Sequence, residues 1–303
     1  MDKIGFLKEL ETVSKIAAAS KFYRLLLHPF KYFNAILFRE LIYKRKKQSK
    51  AVTAKTFFGT SMNILLPSST DIYLTGGKSH DSEIRLAKFL IKQLRQGDGF
   101  VDVGAHYGYF SLLASKIVGT EGKVLAFEAS PSTFEILQKN IADWRNITAF
   151  NKAVSDSPSS LTFYEFPALY SEYNTMDVSQ FEGEDWFSEF QPKAVEVEAV
   201  VLGDMIKNQL VVPKIIKIDV EGAEFKVIKG LNGFLKKQSP AIVMEYLSNE
   251  RGNTPHKEAE ELLKELKYKT YLITDSGDLE LIENISNYLN DKKMESDNIV
   301  FVR

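Results

Sequence analysis

From Gly99 to the end of the chain, short apolar runs alternate with stretches of helical spacing. Strands are predicted at GFVDV, KVLAFEA (123–129), ITAFNKAV (147–154), KIIKIDV (214–220), AIVMEYL (241–247), KTYLIT (269–274) and NIVFV (298–302). Helices are predicted between them at 109–118, 131–144, 222–236 and 256–267. Runs such as IIKIDV are apolar on both faces, which suits strands covered by helices on each side. Repeated strand–helix units imply a doubly wound α/β fold with a parallel sheet and right-handed crossovers. Between LITDSGDLELI and NIVFV no helical period stands out, so the last two strands are expected as an antiparallel pair at the sheet edge.

The first 74 residues have a different rhythm. Phe6, Leu7, Leu10, Val13 and Ile16 recur at helical spacing over 2–20. Leu25, Leu26, Phe30, Phe33, Ile36, Leu37 and Leu41 do so over 21–43, with a bend or break at Pro29. The stretches KTFFG and MNILLP predict a strand pair or cover layer before Pro67, and a third helix is predicted over 81–95. Residues 1–74 are therefore expected as a helical arm and cover segment, and 75–303 as the main domain. One insertion interrupts the alternation. Residues 165–193 hold seven aromatics and seven acids with one base; connections this long are usually functional or disordered, and the aromatics argue against disorder.

Composition narrows the picture. A chain of 303 residues, 44% hydrophobic and 26% charged, suits one large globular domain with or without a small appendage. Lack of cysteine excludes disulfides, thiolate catalysis and Cys-ligated metal sites. No apolar run reaches about 18 residues, and charges interrupt the N-terminal stretch, so neither a spanning helix nor a secretory signal is expected. A cytoplasmic location fits this. The net charge of −1 hides an asymmetry, because residues 1–50 carry +8 and the remainder −9. A basic arm on an acidic body is expected either to meet an anionic membrane surface or acidic partner, or to dock on the body as a solvated face. The acidic body excludes a nucleic-acid reader of the usual electrostatic kind.

Candidate chemistry sits at the predicted strand ends. In doubly wound sheets, ligands bind where the first strand gives way to its helix. DVGAHYGYF (102–110) stands there, and Gly104 and Gly108 permit a sharp turn and close backbone approach, whether or not a ligand is bound. A dinucleotide fingerprint, G-x-G-x-x-G, would place glycine where Asp102 stands; a carboxylate repels pyrophosphate and attracts an ammonium group, so D-x-G-x-x-x-G suits an amino-acid-bearing nucleotide. Glu128 closes the second strand 26 residues after Asp102, near the position, about 20 residues on, where an acid takes ribose hydroxyls. Ser130 and Pro131 fit an N-cap and a first helical residue. Ser155 and Asp156 can bond an adenine amino group or simply cap a turn. In KIDVEGAEFKVIKG, Lys217, Asp219, Glu221 and Glu224 crowd the end of an apolar strand. Asp219 is expected beside the first strand's tip, where an acid can bind a cationic cofactor, orient a hydroxyl or act as general base. Glu224 fits better with the N-terminus of the next helix.

DVGAHYGYF, AFEASP, AVSD and IIKIDVEGAE, in that order, resemble the FkbM-type methyltransferases, a branch of the class I S-adenosylmethionine-dependent enzymes, over roughly residues 75–303. The resemblance implies a Rossmann-like, seven-stranded, mostly parallel sheet with helices on both faces, order 3-2-1-4-5-7-6, strand seven antiparallel. It implies S-adenosylmethionine along Gly104, His106 and Gly108, its ribose on Glu128 beside Ala129, and adenine near Ser155 and Asp156. His106 stands where many relatives have asparagine. Relatives methylate hydroxyls of glycans, polyketides and other small molecules. The expected activity is O-methylation of a sugar hydroxyl in a glycan or lipid-linked sugar. Asp219 and Glu221 lead as groups that accept or orient the proton; His106, Lys217 and Glu245 stand behind them. Asp219, Glu221 and Glu245 are also hard oxygen donors for a divalent cation, although the reading adopted needs none. The insertion suits carbohydrate, because rings cover sugar C–H faces and carboxylates accept from hydroxyls. Two other readings compete. A nicotinamide oxidoreductase would need glycine at 102 and a Tyr-x-x-x-Lys on a central helix, yet Tyr43/Lys47 and Tyr288/Lys292 lie outside the core pattern. A scaffold of methyltransferase fold would lack turnover.

Overall fold

The computed structural model describes residues 2–303. The arm comprises α1 (Lys3–Ala18), α2 (Lys21–Leu27), α3 (Pro29–Leu37), a π-helical turn (Phe38–Tyr43) and α4 (Lys44–Lys46). Asp2 and Ser20 cap the first two helices by accepting from the Gly5 and Tyr23 amides. Pro29 opens α3, a position whose amide has no helical partner anyway. A hairpin follows, β1 (Lys50–Lys55) antiparallel to β2 (Ser61–Leu66). Its first strand ends where the KTFFG stretch begins, because Phe57 and Phe58 turn into the core from the connection. Next come α5 (Thr70–Thr75) and α6 (Asp81–Gln93).

The alternating part begins with β3 (Gly99–Val103), α7 (Tyr109–Val118), β4 (Lys123–Phe127), α8 (Pro131–Ile141) and β5 (Ile147–Phe150). The chain then leaves the main sheet. β6 (Ala153–Ser155), β7 (Ser159–Glu165) and β8 (Lys193–Val201) make a separate three-stranded sheet with β8 central. ITAFNKAV is thus two strands in two sheets rather than one. Asn151 sits at the break, its side-chain amide donating to the carbonyls of Glu128 and Ala129. The chain returns through α9 (Leu202–Asn208) to β9 (Pro213–Ile218), α10 (Glu224–Leu235) and β10 (Ala241–Leu247). It ends with α11 (Thr254–Glu265), β11 (Lys269–Ile273), β12 (Leu279–Leu281), α12 (Ile285–Lys292) and β13 (Ser296–Val302).

The main sheet has the order β12-β11-β13-β10-β9-β3-β4-β5. β5, β4, β3, β9 and β10 are parallel, and β13 runs antiparallel between β10 and β11. Seven of these strands keep the expected 3-2-1-4-5-7-6 arrangement, and β12 adds an eighth by folding back on β11. The antiparallel pair β11–β13 is therefore not the outer edge. α12 precedes β13; its inward side consists of little more than Ile285 and Leu289, too short an apolar pattern to stand out in the sequence.

Successive residues of β3 feed opposite cores. Phe100 joins Leu86, Leu90 and Leu113 on one face, while Val101 and Val103 join Val227, Leu231 and Leu263 on the other. This Rossmann-like α/β sandwich explains why the central strands are apolar throughout. Phe6, Leu10 and Val13 of α1, with Met62 and Ile64 of β2, belong to the first of these cores. Much of the first 74 residues therefore packs as part of the body. No helix among the described residues is long and apolar enough to cross a membrane.

Candidate active site

Strand register assembles the site. Val103 of β3 pairs with Phe127 on one side and Ile218 on the other, and Ile218 pairs with Met244. The next residue on each strand, Gly104, Glu128, Asp219 and Glu245, therefore stands at one level; the first three leave the sheet there, while β10 runs on to Leu247 with Glu245 paired to Asn298 of β13. All four line a cleft of about 640 Å³ at the carboxyl ends of the parallel strands, where ligands bind in open α/β sheets. Gly104 adopts φ +78°, and a Cβ there would lie 1.7 Å from the Asp219 carbonyl oxygen. Glycine is thus required by the crossing of two strand ends. Gly108 (φ +88°) starts α7 against Leu137 and lies outside the cleft lining.

Lys217 organises the charge beneath the cleft. Its ammonium donates to Asp219 Oδ2 at 3.0 Å and to the Gly104 carbonyl at 3.4 Å, and lies 3.5 Å from Asp102 Oδ1. Burial works against its charge, but Asp219 and Asp102 outweigh burial and raise its pKa. Asp102 is only 1% exposed and does not line the cleft. Its Oδ2 accepts from Ser111 Oγ at 2.6 Å, its Oδ1 has no hydrogen-bond partner, and burial pushes the carboxyl up despite Lys217. Asp102 thus faces Lys217 and Ser111 rather than open space, so an ammonium ligand would meet Asp219 first.

Three carboxylates converge in the cleft: oxygens of Asp219, Glu221 and Glu245 all lie within 4.8 Å of one another. Burial would raise Asp219, but Lys217 overrides it and holds that carboxyl below the usual range. Glu221 has only the weaker opposing influence of Arg251, and Glu245 that of a hydrogen bond from Ser296. Burial first, then the surrounding carboxylates, pushes both well above the usual value. Glu221 has a left-handed backbone (φ +49°), a conformation that non-glycine residues hold only when their surroundings enforce it. Here its carbonyl accepts from Thr175 Oγ1 (2.8 Å) and Gln180 Nε2 (3.0 Å), while Glu224 Oε1 accepts from the Val220 and Gly222 amides. Glu224 therefore secures the loop before α10, as expected of a helix-terminal acid, and His256 Nε2 lies 3.4 Å from its other oxygen.

His106 also has a left-handed backbone (φ +50°). Its amide donates to Glu128 Oε2 at 2.8 Å and its Nε2 meets Ser171 Oγ at 3.0 Å. Burial lowers the imidazole to about 4, so the ring is neutral at pH 7. Glu128 accepts the His106 and Ser130 amides, one on each oxygen, and burial pushes it up to about 7. Ala129 lines the cleft beside it, but Ser155 and Asp156 do not. The strand break after β5 carries these two towards α10, where Asp156 pairs with Lys229 at 2.7 Å and the Ser155 carbonyl packs on Gly230. Ala153, Val154, Phe163 and Met176 line the cleft near these two residues.

The insertion is less open than its composition implies. Tyr170 and Trp186 stack at 4.1 Å, Phe166 packs edge-on against Phe181 and Trp186, and Phe190 stacks on Tyr43 of the arm. Of its seven aromatics, Tyr173 lines the cleft, beside Ser171 and Glu172, among the described residues. Sequence reasoning missed Lys78, which lines the cleft next to Glu172, pairing with it at 2.7 Å and with Glu83. It also missed Arg251 of the wall and His256 behind Glu224. The Gly76-Gly77-Lys78 turn before α6 was the available signal, but nothing in spacing links it to residues near 172.

The FkbM methyltransferase domain model matches residues 102–270, from within β3 to the start of β11. Hexuronic acid methyltransferase AglP of Haloferax volcanii is 26% identical over 164 residues, which cover 52% of this chain and 59% of that protein. Methyltransferase 1 of Beauveria bassiana is 29% identical over 147 residues, covering 44% and 57%. The alignments thus span about three-fifths of each relative's length. A crystal structure of an FkbM methyltransferase from Methylobacillus flagellatus is similar at 15% identity and TM-score 0.45, over 77% of this chain and 52% of that one. With more than half of its length matched by the family model, the chain belongs to the FkbM methyltransferase domain family.

Proposed function

We propose that this chain is an S-adenosylmethionine-dependent O-methyltransferase acting on a hydroxyl of a sugar, in a glycan or glycolipid. The observation that carries the reading is the cluster of Asp219, Glu221 and Glu245 beside the Gly104 turn. The surrounding residues fit the cofactor. Gly104 keeps the strand tip free of a Cβ, and Glu128 offers a lone pair on each carboxylate oxygen beyond its two backbone bonds. Ala153, Val154, Phe163 and Met176 give an apolar wall for a purine, and the volume suits a ligand of that size. When bound, S-adenosylmethionine supplies an electrophilic methyl group on a sulfonium, so the protein has mainly to align and deprotonate the acceptor.

The chain's own groups divide that work. Asp219, kept ionised by Lys217, holds the ammonium end; Asp102 acts one layer back, as counter-ion to Lys217. Because Lys217 holds it low, Asp219 is a weak proton acceptor, and His106 at about 4 is another. Burial and the neighbouring carboxylates raise the Glu221 carboxyl well above its ordinary value, which strengthens it as a proton acceptor and suits a general base. Glu245 shares the cluster's remaining proton, since mutual repulsion opposes ionisation of all three carboxylates. A hydroxyl-rich acceptor fits an acid-lined cleft, and the relative named hexuronic acid methyltransferase supports a sugar.

The test combines calorimetry with S-adenosylhomocysteine and transfer of a labelled methyl group to a panel of glycans and glycolipids. Binding together with a mass gain of one CH2 on a sugar oxygen is the expected result. Binding without transfer to any acceptor favours the scaffold reading, and no binding overturns the cofactor assignment.

A further inference from the structure

The outer side of the arm is apolar. Phe30, Phe33 and Leu37 of α3 and Leu41 of the π-helical turn follow each other at three- and four-residue steps, so they form one stripe. Phe22 and Leu26 of α2 extend it. These six side chains are 49–89% exposed, whereas Ala35, Phe38 and Tyr43 face the body and are buried. A helix on a soluble body normally turns its apolar stripe inward; here the larger stripe faces out. Single exposed apolar residues need no explanation, but a contiguous set marks an interaction surface.

Charge selects the occupant. Lys21, Lys31, Arg39, Arg45 and Lys46 are exposed on the same segment, and residues 1–50 carry +8. In a two-fold pairing with a second copy, this face would meet itself and place like charge on like charge. Anionic headgroups complement it, and the apolar stripe suits the acyl boundary below them. α2 and α3 have 7 and 9 residues; at 1.5 Å per residue neither approaches the roughly 30 Å hydrocarbon core, so the segment lies in the interface plane.

We propose that α2, α3 and the π-helical turn form a monotopic docking face for an anionic phospholipid bilayer. The arm is fixed to the cleft. Tyr43 Oη accepts from the Leu169 amide at 3.2 Å, Phe190 stacks on the Tyr43 ring, and the residues just after Leu169 line one wall. Docking stands on the exposed face alone and does not depend on the methyl-transfer reading.

The full chain is sedimented with vesicles of phosphatidylglycerol and phosphatidylcholine, and with phosphatidylcholine alone, at low and high salt. Binding to the anionic vesicles that weakens with salt is expected. Phe30→Ser with Phe33→Ser lowers the affinity about a hundredfold, tenfold for each side chain, with no change in melting temperature because both are exposed. Arg45→Gln with Lys46→Gln lowers it by about thirtyfold and reduces the salt dependence. A chain that stays in the supernatant with anionic vesicles overturns the proposal, as does a Phe30→Ser/Phe33→Ser variant that binds like the parent. A dimer that this variant converts to monomer, with no vesicle binding by either, assigns the face to a second copy and overturns it too.

Discussion

Replacing Lys217 with methionine keeps the volume and removes the charge that two carboxylates share. Asp102 is 1% exposed and has one oxygen without a hydrogen-bond partner, 3.5 Å from this ammonium. Removing one partner of a buried ion pair costs about 3–5 kcal/mol, and the 3.5 Å separation places this pair near 3. Asp219, whose side chain is 35% exposed, adds little because water screens it. A loss of about 3 kcal/mol lowers the melting temperature by roughly 6–12 °C for a domain of this size. The pH dependence carries the cause. In the parent, Lys217 is raised above its ordinary 10.5, so its contribution is fully present below that pH. In the variant, Asp102 rises further above its ordinary 3.8; the folded chain then holds a proton that the unfolded chain has released, and stability falls as pH rises through that folded value. The difference between parent and variant is therefore largest near pH 7 and narrows on acidification. Thermal and urea unfolding at neutral and mildly acidic pH measure it, with Asp102→Asn added to Lys217→Met expected to recover more than half. A loss below 1 kcal/mol that is indifferent to pH and unrepaired by Asp102→Asn would refute the reasoning.

Glu221→Gln is expected to slow methyl transfer by about 10²–10⁴-fold while leaving S-adenosylhomocysteine affinity within a few-fold, as calorimetry and initial rates will show. Because burial pushes Glu128 from 4.5 to about 7, its contribution to stability is present below 4.5 and lost as pH rises to about 7. Glu128→Gln therefore flattens the melting-temperature profile across that window and weakens S-adenosylhomocysteine binding. Gly104→Ala, whose Cβ would sit 1.7 Å from a carbonyl oxygen, is expected to abolish that binding and lower the melting temperature. Asp156→Ala, away from the cleft and paired with Lys229, leaves the affinity unchanged within twofold.

The parts of the fold that were legible in sequence are those whose local pattern and tertiary setting agree. β3, β4 and β9 read as buried strands because both faces are covered, and Gly104, Glu128 and Asp219 followed from where those strands stop. ITAFNKAV misled because its alternation continues across a change of sheet; the interruption depends on Asn151 bonding carbonyls over twenty residues away. Seven aromatics looked like a sugar platform, but side-chain stacking cannot be read from composition, and most of them pack on one another or on the arm. Asp102 was placed at the right strand end, yet whether a carboxylate meets a ligand or a lysine depends on the neighbouring strand. Lys78 and Glu172 meet across 94 residues of sequence, a separation that no periodicity encodes.

Three strands that end level beside Glu245 of β10 give the molecule a division of labour. A one-residue slip in β9 would turn Asp219 to the opposite face and displace it from Glu245, so the strand tips tolerate no gradual change. The stretch between β7 and β8 is under no such rule. It contributes Ser171, Glu172 and Tyr173 to the cleft and clamps the Glu221 loop through Thr175 and Gln180, yet it hangs from a separate small sheet. On the proposed methyl-transfer reading, acceptor preference would diverge by exchange of this one segment, provided that a partner for Tyr43 travels with it. In a chimera carrying a relative's segment, cofactor affinity should be inherited from the recipient and acceptor choice from the donor.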